Sequence, residues 1–273
     1  MIRKTDVYGP VATEYTARPV YPDDLFAYLA AQCEQRVVAW DCGCGSGQAS
    51  RGLSDHFEVV IATDPSGNQL SQAAPAGNIE YRQAPAESSG LPSSSVDLVC
   101  AFMAAHWFDL DAFYAEALRV AKPDAIIALL VYGEPFTGQQ KVDDIIEGFS
   151  SLTGPYGGAA IQRMRQLYSD LEFPFRAELQ LPSFQMEARY LLERFLSYTR
   201  SRASVMDFGR QHSRDVVASF GAQLARHWPR GQEINVYWPL KGRIGKIASH
   251  RDGQRTDRQV QLASSAIHAA NSL

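Results

Sequence analysis

A glycine-rich turn after an apolar strand is the feature that most constrains this chain. Residues 37–42 form an apolar run, and residues 41–48 read Asp-Cys-Gly-Cys-Gly-Ser-Gly-Gln before a short helical segment. In an open α/β sheet, glycines at such a turn let a ligand approach the backbone at the carboxyl edge of the strands. A second apolar run, residues 58–64, ends in Asp64. A carboxylate there can accept hydrogen bonds from ribose hydroxyls, so the two strands predict a nucleoside site.

Alternating strands and helices predict the fold class through residue 132. Apolar runs follow at residues 96–103 and 125–132, a weaker one lies at 78–83, and a helical pattern begins after Asp109 and ends near Pro123. Runs that are apolar at every position are typical of strands buried on both faces of a parallel sheet. The prediction is therefore an α/β protein with a doubly wound sheet.

The chain changes character after residue 133. Amphipathic patterns predict further helices, and extended segments predict late strands. The predicted helices are residues 141–152, 160–172, 187–200 and 205–228. The predicted strands are residues 176–186 and two within 232–248, which turn around 239–242.

The glycine spacing and its neighbouring acid distinguish between nucleotide ligands. A dinucleotide fingerprint, G-x-G-x-x-G, would need a third glycine at position 48, which is Gln48. The chain instead has G-x-G-x-G from Gly43, preceded by Asp41. An acid here would repel a pyrophosphate and suits an ammonium group, which favours S-adenosylmethionine over NAD. The alternative is a turn that uses glycine only for tightness.

Composition and charge exclude several classes of protein. The chain has 273 residues, of which 45% are hydrophobic and 21% charged, with a net charge of −4. This composition is globular and offers no broad basic face, so we expect no nucleic-acid partner. No apolar run reaches about 18 residues and no signal sequence is evident, so we expect a cytoplasmic protein without a membrane partner. We expect free thiols and no metal site from the cysteines, which are Cys33, Cys42, Cys44 and Cys100.

Several motifs together resemble the class I S-adenosylmethionine-dependent methyltransferases. Residues 41–47 look like the D-x-G-x-G-x-G motif of that superfamily, and Asp64 looks like its acidic ribose ligand. Residues 15–22 (YTARPVYP) and 105–109 (AHWFD) are similar to motifs of its trans-aconitate methyltransferase-like group. The motifs are specific for cofactor and fold rather than for substrate.

The resemblance implies a Rossmann-like, doubly wound seven-stranded sheet of order 3-2-1-4-5-7-6, with the last strand antiparallel and a helical lid. Its cofactor would be S-adenosyl-L-methionine, and its product S-adenosyl-L-homocysteine. The implied division of the chain is a cap over residues 1–30, a cofactor-binding core over 31–135, a lid and substrate region with one strand over 136–230, closing strands over 231–248 and a peripheral tail over 249–273.

The predicted site residues form overlapping sets at the carboxyl edge of the sheet. The predicted cofactor-binding residues are Arg18, Asp41, Gly43, Gly45, Gln48, Asp64, Pro65, Gln69, Ala86, Glu87 and Phe102. The predicted substrate-binding residues are Tyr8, Tyr15, Tyr21, His106, Trp107 and Arg163. The predicted catalytic residues are His106 and Arg18.

Methyl transfer to a small molecule is the predicted function, and the resemblance favours an acidic one. An ionised carboxylate needs no general base, and Arg18 or Arg163 would orient it bidentately. A phenol, amine or enol would instead need proton removal, with His106 as the base. A non-catalytic S-adenosylmethionine-binding module also stays open, as does an NAD-type oxidoreductase, which Gln48 disfavours. We expect a monomer or homodimer.

Overall fold

Residues 18–247 are described by a computed structural model, and they form a sheet flanked by helices. The strands are β1 (Val38–Cys42), β2 (Val59–Asp64), β3 (Ile79–Gln83), β4 (Val96–Phe102), β5 (Ala121–Tyr132), β6 (Arg176–Glu178), β7 (Gln185–Tyr190) and β8 (Ile234–Lys246). The helices are α1 (Asp23–Gln32), α2 (Gln48–Ser54), α3 (Gly67–Leu70), α4 (Leu110–Val120), α5 (Gln140–Thr153), α6 (Gly158–Arg165), α7 (Leu192–Arg200), α8 (Ala203–His212) and α9 (Val216–Leu224). Residues 1–17 of the predicted cap and the predicted tail at 249–273 lie outside the described residues.

The eight-stranded sheet has the order β3-β2-β1-β4-β5-β8-β6, and β7 pairs with β8 beside this path. Strands β1 to β5 are parallel, whereas β8 runs antiparallel to β5 and β6. The predicted doubly wound fold and its strand order are thereby confirmed, with one additional strand before the last. Within residues 18–247, no helix is long and apolar enough to cross a membrane.

Strand β5 explains why the central runs are apolar at every position. Its residues 126–131 are fully buried. Alternate side chains of this strand belong to the cores on opposite faces of the sheet. The core that includes α1 contains Ile126, Ala128 and Leu130. The core that includes α4 contains Ile127, Leu129 and Val131. A strand covered on both faces has no solvated side, which is the arrangement of doubly wound sheets. The carboxyl ends of the parallel strands consequently share one edge.

The predicted turn at residues 239–242 is wrong, because β8 is one strand of 13 residues. Its first half pairs with β7, where Pro239 lies opposite Gln185. Its second half pairs with β5, where Gly242 lies opposite Leu130. A Cβ on Gly242 would come within 2.1 Å of the Leu129 carbonyl oxygen, so the glycine serves close strand packing and not a turn.

Strand β7 replaces the start of the predicted helix at residues 187–200. Its side chains alternate between exposed and buried, with Met186 and Tyr190 in the core, and the segment pairs with β8. Pairing thus decides the structure of residues 185–190, and the helix begins only at Leu192. The predicted strand at residues 176–186 is reduced to β6 and the first residues of β7.

In two further segments the helices are shorter than the sequence pattern predicts. The helix predicted at residues 205–228 is divided at Ser213, whose φ of 48° ends α8, and Asp215 caps α9 through the N–H groups of Val217 and Ala218. The helix predicted at 160–172 ends at Arg165. Leu167 and Tyr168 follow with φ of 54° and 61°, which for side-chain-bearing residues costs about 1–2 kcal/mol each.

A charged cluster around Glu134 joins the helices after β5 to the end of that strand. The Glu134 carboxylate accepts hydrogen bonds from Arg165 at 2.7 Å, from Arg202 at 2.6 and 2.7 Å and from Ser150 at 2.6 Å. Burial acts to raise the pKa of Glu134, but Arg202, Ser150 and Arg165 together lower it. Glu134 is therefore ionised at neutral pH and connects α5, α6 and the start of α8.

We predict that Glu134→Gln destabilises the protein by about 2 kcal/mol, because the Arg202 guanidinium would remain buried without its anion. The free energy of unfolding in urea measures this. Glu178→Gln is the matched control, since Glu178 pairs with Arg243 at a more exposed position. We expect the control to cost less than about 1 kcal/mol. Equal losses in both variants would contradict the assigned role of Glu134.

Candidate active site

The glycine turn is fixed by hydrogen bonds to the neighbouring strand. The N–H groups of Gly43 and Cys44 both donate to the Thr63 carbonyl oxygen, at 2.7 and 3.0 Å. A Cβ on Gly43 would come within 2.6 Å of the Ala104 Cβ, so packing requires this glycine. At Gly45 the nearest atom to such a Cβ is Gln69 Oε1 at 3.7 Å, so this part of the turn is open. Gly45 therefore provides the exposed backbone that a ligand can approach.

Asp64 lies at the carboxyl end of β2 and is 9% exposed. Its Oδ2 accepts from the Gly45 N–H at 2.9 Å, and its Oδ1 accepts from the Ser66 N–H at 2.8 Å. Burial raises the pKa of Asp64, while these two backbone hydrogen bonds act to lower it. Because a carboxylate oxygen can accept more than one hydrogen bond, both oxygens retain capacity for donors such as ribose hydroxyls.

Asp41 is fully buried at the end of β1, beside the same turn. Its Oδ2 accepts from Ser50 Oγ at 2.6 Å, whereas its Oδ1 is buried and has no hydrogen-bond partner among the described residues. Burial raises the pKa of Asp41 to about 7. The hydrogen bond from Ser50 acts to lower this pKa, and the negative charge of Asp64 acts to raise it. A buried carboxylate oxygen without a donor is costly, and a cationic donor would remove that cost.

A cavity of about 700 Å³ opens at this edge of the sheet. It brings together every predicted site residue within the described part of the chain, whereas Tyr8 and Tyr15 lie outside that part. The predicted residues in its wall are Arg18, Tyr21, Asp41, Gly43, Gly45, Gln48, Asp64, Pro65, Gln69, Ala86, Glu87, Phe102, His106, Trp107 and Arg163. Their individual roles stay predictions. Across residues 18–247, no cluster of three or more His, Cys, Asp or Glu side chains could hold a metal ion.

His106 lies in a short 3-10 turn after β4 and is 3% exposed. Its Nδ1 is 2.9 Å from the hydroxyl oxygen of Tyr168, a fully buried side chain. Burial lowers the pKa of His106 to about 3, and the positive charges of Arg163 and Arg18 contribute. The imidazole is consequently neutral at physiological pH. The Trp107 ring lies beside it, with centroids 5.1 Å apart.

The two cavity arginines are held differently. Arg18 donates to the Tyr132 hydroxyl at 2.9 Å and to the Ser201 carbonyl oxygen at 3.2 Å. The next residue, Pro19, accepts from Gln48 Nε2 at 2.7 Å, which ties this segment to the glycine turn. Arg163 extends from α6 and has no ion-pair partner in the described residues. Carboxylates therefore lie near β1 and β2, and guanidinium groups lie near His106.

Two features around His106 were not predicted from the sequence, one in the cavity wall and one behind it. One is the start of α6, where Gly157, Ala159 and Ala160 line the cavity. The adjacent glycines at 157–158 indicate a backbone irregularity there, but nothing in the pattern indicates which way it faces. The second is Tyr168, which reaches His106 from a turn within the segment predicted as helix.

Comparison with known proteins identifies the family. The sequence profile described as "Methyltransferase domain" matches residues 40–129. A solved structure from Anaeromyxobacter dehalogenans, described as a type II methyltransferase, is 38% identical and aligns over 85% of this chain and 99% of that chain with a TM-score of 0.79. A Dictyostelium discoideum protein named as a methyltransferase is 40% identical over 130 residues, which are 47% of this chain and 49% of that one. A malonyl-[acyl-carrier protein] O-methyltransferase of Methylovorus is 32% identical over 106 residues, 34% of this chain and 36% of that one.

The strand order, the glycine turn with its two aspartates and these similarities together define a methyltransferase with a Rossmann-like sheet. More narrowly, the chain belongs to the class I S-adenosylmethionine-dependent methyltransferases. The chain spans about half the length of the D. discoideum relative that it matches and about a third of the Methylovorus enzyme.

The described residues fit the cofactor of this family. The unpartnered Oδ1 of Asp41 suits the ammonium group of the methionine portion, and Asp64 keeps acceptor capacity for the ribose. The open backbone at Gly45 leaves room between them. We therefore expect Asp41, Asp64 and Gly45 to hold S-adenosylmethionine.

We predict that binding of S-adenosylhomocysteine at pH 7 releases about half a proton from Asp41, because the ligand ammonium favours the ionised carboxylate. A proton is released on binding, and not taken up, because a pKa of about 7 leaves Asp41 partly protonated in the free protein. Below pH 7 the affinity should fall by up to about tenfold per pH unit. Calorimetry in buffers of different ionisation enthalpy measures the proton count.

Asp41→Asn is the control for this proton release. Its amide occupies the same volume but cannot ionise, so the variant should bind S-adenosylhomocysteine more weakly and without the released proton. Unchanged proton release by the variant would assign the proton to another group.

Proposed function

We propose that this protein O-methylates an ionised carboxylate of a small molecule. The observation that carries the proposal is the cavity wall near His106, where the Arg163 guanidinium has no ion-pair partner in the described residues and the imidazole beside it is neutral. A cation without a counterion at the wall of a cavity favours an anionic ligand. We also propose that the protein belongs to the trans-aconitate methyltransferase-like group.

The cofactor would occupy the carboxylate-rich end of the cavity. Asp41 would hold its ammonium, Asp64 its ribose, and Arg18 its methionine carboxylate, because the Arg18–Pro19 segment is bonded to Gln48 at the glycine turn. The remaining predicted cofactor contacts come from Gly43, Gly45, Pro65, Gln69, Ala86, Glu87 and Phe102. When bound, S-adenosylmethionine supplies a methyl group whose carbon–sulfur bond breaks as the carbon–oxygen bond of the ester forms. The opposite charges of carboxylate and sulfonium cancel in this transfer.

The protein's part is then to bind, orient and exclude water. Arg163 would fix the acceptor carboxylate, and Tyr21 and Trp107 would add apolar wall. The helices between residues 136 and 230 would act as the lid, held to the sheet by the Glu134 cluster. For the oligomeric state, we expect a monomer or a homodimer.

His106 favours a carboxylate over a phenol, amine or enol acceptor. An effective general base has a pKa near the working pH, and the pKa of His106 is lowered to about 3. If His106 took a proton from a neutral acceptor, the resulting imidazolium would be a third cation, buried beside Arg163 and Arg18. An acceptor that is already ionised avoids this step. The name of the Methylovorus relative, an O-methyltransferase of a malonyl group, is in keeping with a carboxyl acceptor.

The test is methyl transfer from radiolabelled S-adenosylmethionine to panels of small carboxylic acids and of phenols. We expect a base-labile methyl ester from the acids only. Base-stable products from the phenols would overturn the carboxylate assignment. Asp64→Ala is the cofactor control, and its undiminished binding of S-adenosylhomocysteine would overturn the cofactor site. Cofactor binding without turnover on any compound would instead favour a binding module.

We predict that Arg163→Met lowers kcat/KM for the acid by about 100-fold, the effect of losing a charge-assisted contact to a carboxylate. Steady-state kinetics measure this, and the affinity for S-adenosylhomocysteine should stay within about twofold. Arg163→Lys is the matched variant: it retains charge but not the planar fork, so it should recover part of the loss. Equal activity of the methionine variant and wild type would remove Arg163 from the acceptor site.

A further inference from the structure

The start of helix α6 lines the cavity. Gly157 occupies the N-cap position, and no side chain caps the helix. The first N–H groups of an α-helix have no partner within the helix. Asp207 accepts the Gly157 N–H at 2.9 Å, which leaves the donors of the first helical turn. The residues of this turn in the cavity wall are Ala159 and Ala160, whose methyl groups leave the backbone approachable.

A second group in the same wall points to a ligand. His106 is 3% exposed, and Tyr168 bonds its Nδ1, but Nε2 has no hydrogen-bond partner among the described residues. The 3-10 turn that carries His106 packs against α6. When the Tyr168 hydroxyl donates to Nδ1, the neutral imidazole carries its proton on Nε2 and becomes a donor toward the cavity.

Arg163 adds a positive charge on the same face of α6 as these donors. Arg163 follows Ala159 by four positions and Ala160 by three, so the three residues share one face of α6. The groups that face His106 from the elements packed against it are then Tyr168, Arg163 and Arg18, with no carboxylate among them in the described residues. The positive end of the α6 dipole has the same sign of potential as both guanidinium groups.

The geometry points to a built-in carboxylate subsite for the methyl acceptor, formed by the first-turn N–H groups of α6, Arg163 and His106 Nε2–H. Tyr168 is its positioning residue, since its hydroxyl sets the imidazole tautomer. This inference rests on the proposed function and states how the acceptor is held. Two backbone donors and two side-chain donors would match the four acceptor positions of a carboxylate.

The test uses acetate as the probe and the complex with S-adenosylhomocysteine as the protein. Acetate is titrated at constant ionic strength against chloride while amide resonances are followed by NMR. We expect saturable shifts of the Ala159 and Ala160 amides with acetate and none with chloride. If S-adenosylhomocysteine binds but acetate acts no differently from chloride, the subsite is overturned and the cofactor site stands. If S-adenosylhomocysteine does not bind, the proposed function itself fails.

Ala160→Asp and Ala160→Asn form a matched pair for the same titration. Position 160 is the third residue of α6, where an acidic side chain is favourable for the helix, so both variants should fold. We expect the Asp variant to weaken acetate binding at least about tenfold by occupying the subsite, and the Asn variant less than about threefold. Equal weakening by both would overturn an electrostatic subsite, provided that both bind S-adenosylhomocysteine like wild type.

The tautomer of His106 gives an independent readout. Two-bond ¹H–¹⁵N correlation spectra of histidine-labelled protein distinguish an Nε2–H from an Nδ1–H ring, and His106→Asn assigns the signal among the six histidines. We expect Nε2–H in the acetate complex of wild type and a mixture of tautomers in Tyr168→Phe. Tyr114→Phe is the control, because it removes a hydroxyl that bonds the Glu172 carbonyl oxygen in the same segment. An Nδ1–H ring in the wild-type complex would overturn the donor role of His106.

Discussion

The site depends on the hydrogen bonds between the glycine turn and the end of β2. One carbonyl oxygen, that of Thr63, accepts two N–H groups of the turn, and the Asp64 carboxylate accepts a third from Gly45. The turn therefore cannot take its shape unless β2 is paired in register with β1. Placement of both aspartates follows from strand pairing, and the ligand-binding backbone is preorganised by the sheet.

The cavity is polarised along its length. Buried carboxylates lie at the ends of the first two strands, and guanidinium groups with an uncapped helix start lie near His106. The cofactor sulfonium and the proposed anionic acceptor would fit such a gradient from opposite ends, and both charges would disappear on transfer. The same positive surroundings help to hold the pKa of His106 low, which favours the proposed hydrogen-bonding role over a role as general base.

Short-range patterns predicted the half of the chain whose central strands, β1, β2, β4 and β5, are largely buried. The runs ending at Asp41 and Asp64 and the cap at Asp109, which accepts the Ala112 N–H at 3.3 Å, are local signals, and the structure confirms these elements. Later elements depend on pairing between distant segments. Residues 187–190 have a helical pattern, yet β8 recruits them as strand. Arg163 was predicted without its surroundings, because the facing groups Tyr168 and His106 meet only in the folded chain.

The position of β8 has a consequence for how the sheet is assembled. The strand between β5 and β6 is the last described one in sequence, so the edge of β5 has no neighbour until residues 234–246 are available. During synthesis the first five strands can pair early, while β5 presents an unpaired, apolar edge for as long as the helices after it are being made. Such an edge is a template for wrong strand partners. Closure by β8 is a late, long-range step, and aggregation before that step is the hazard of this topology.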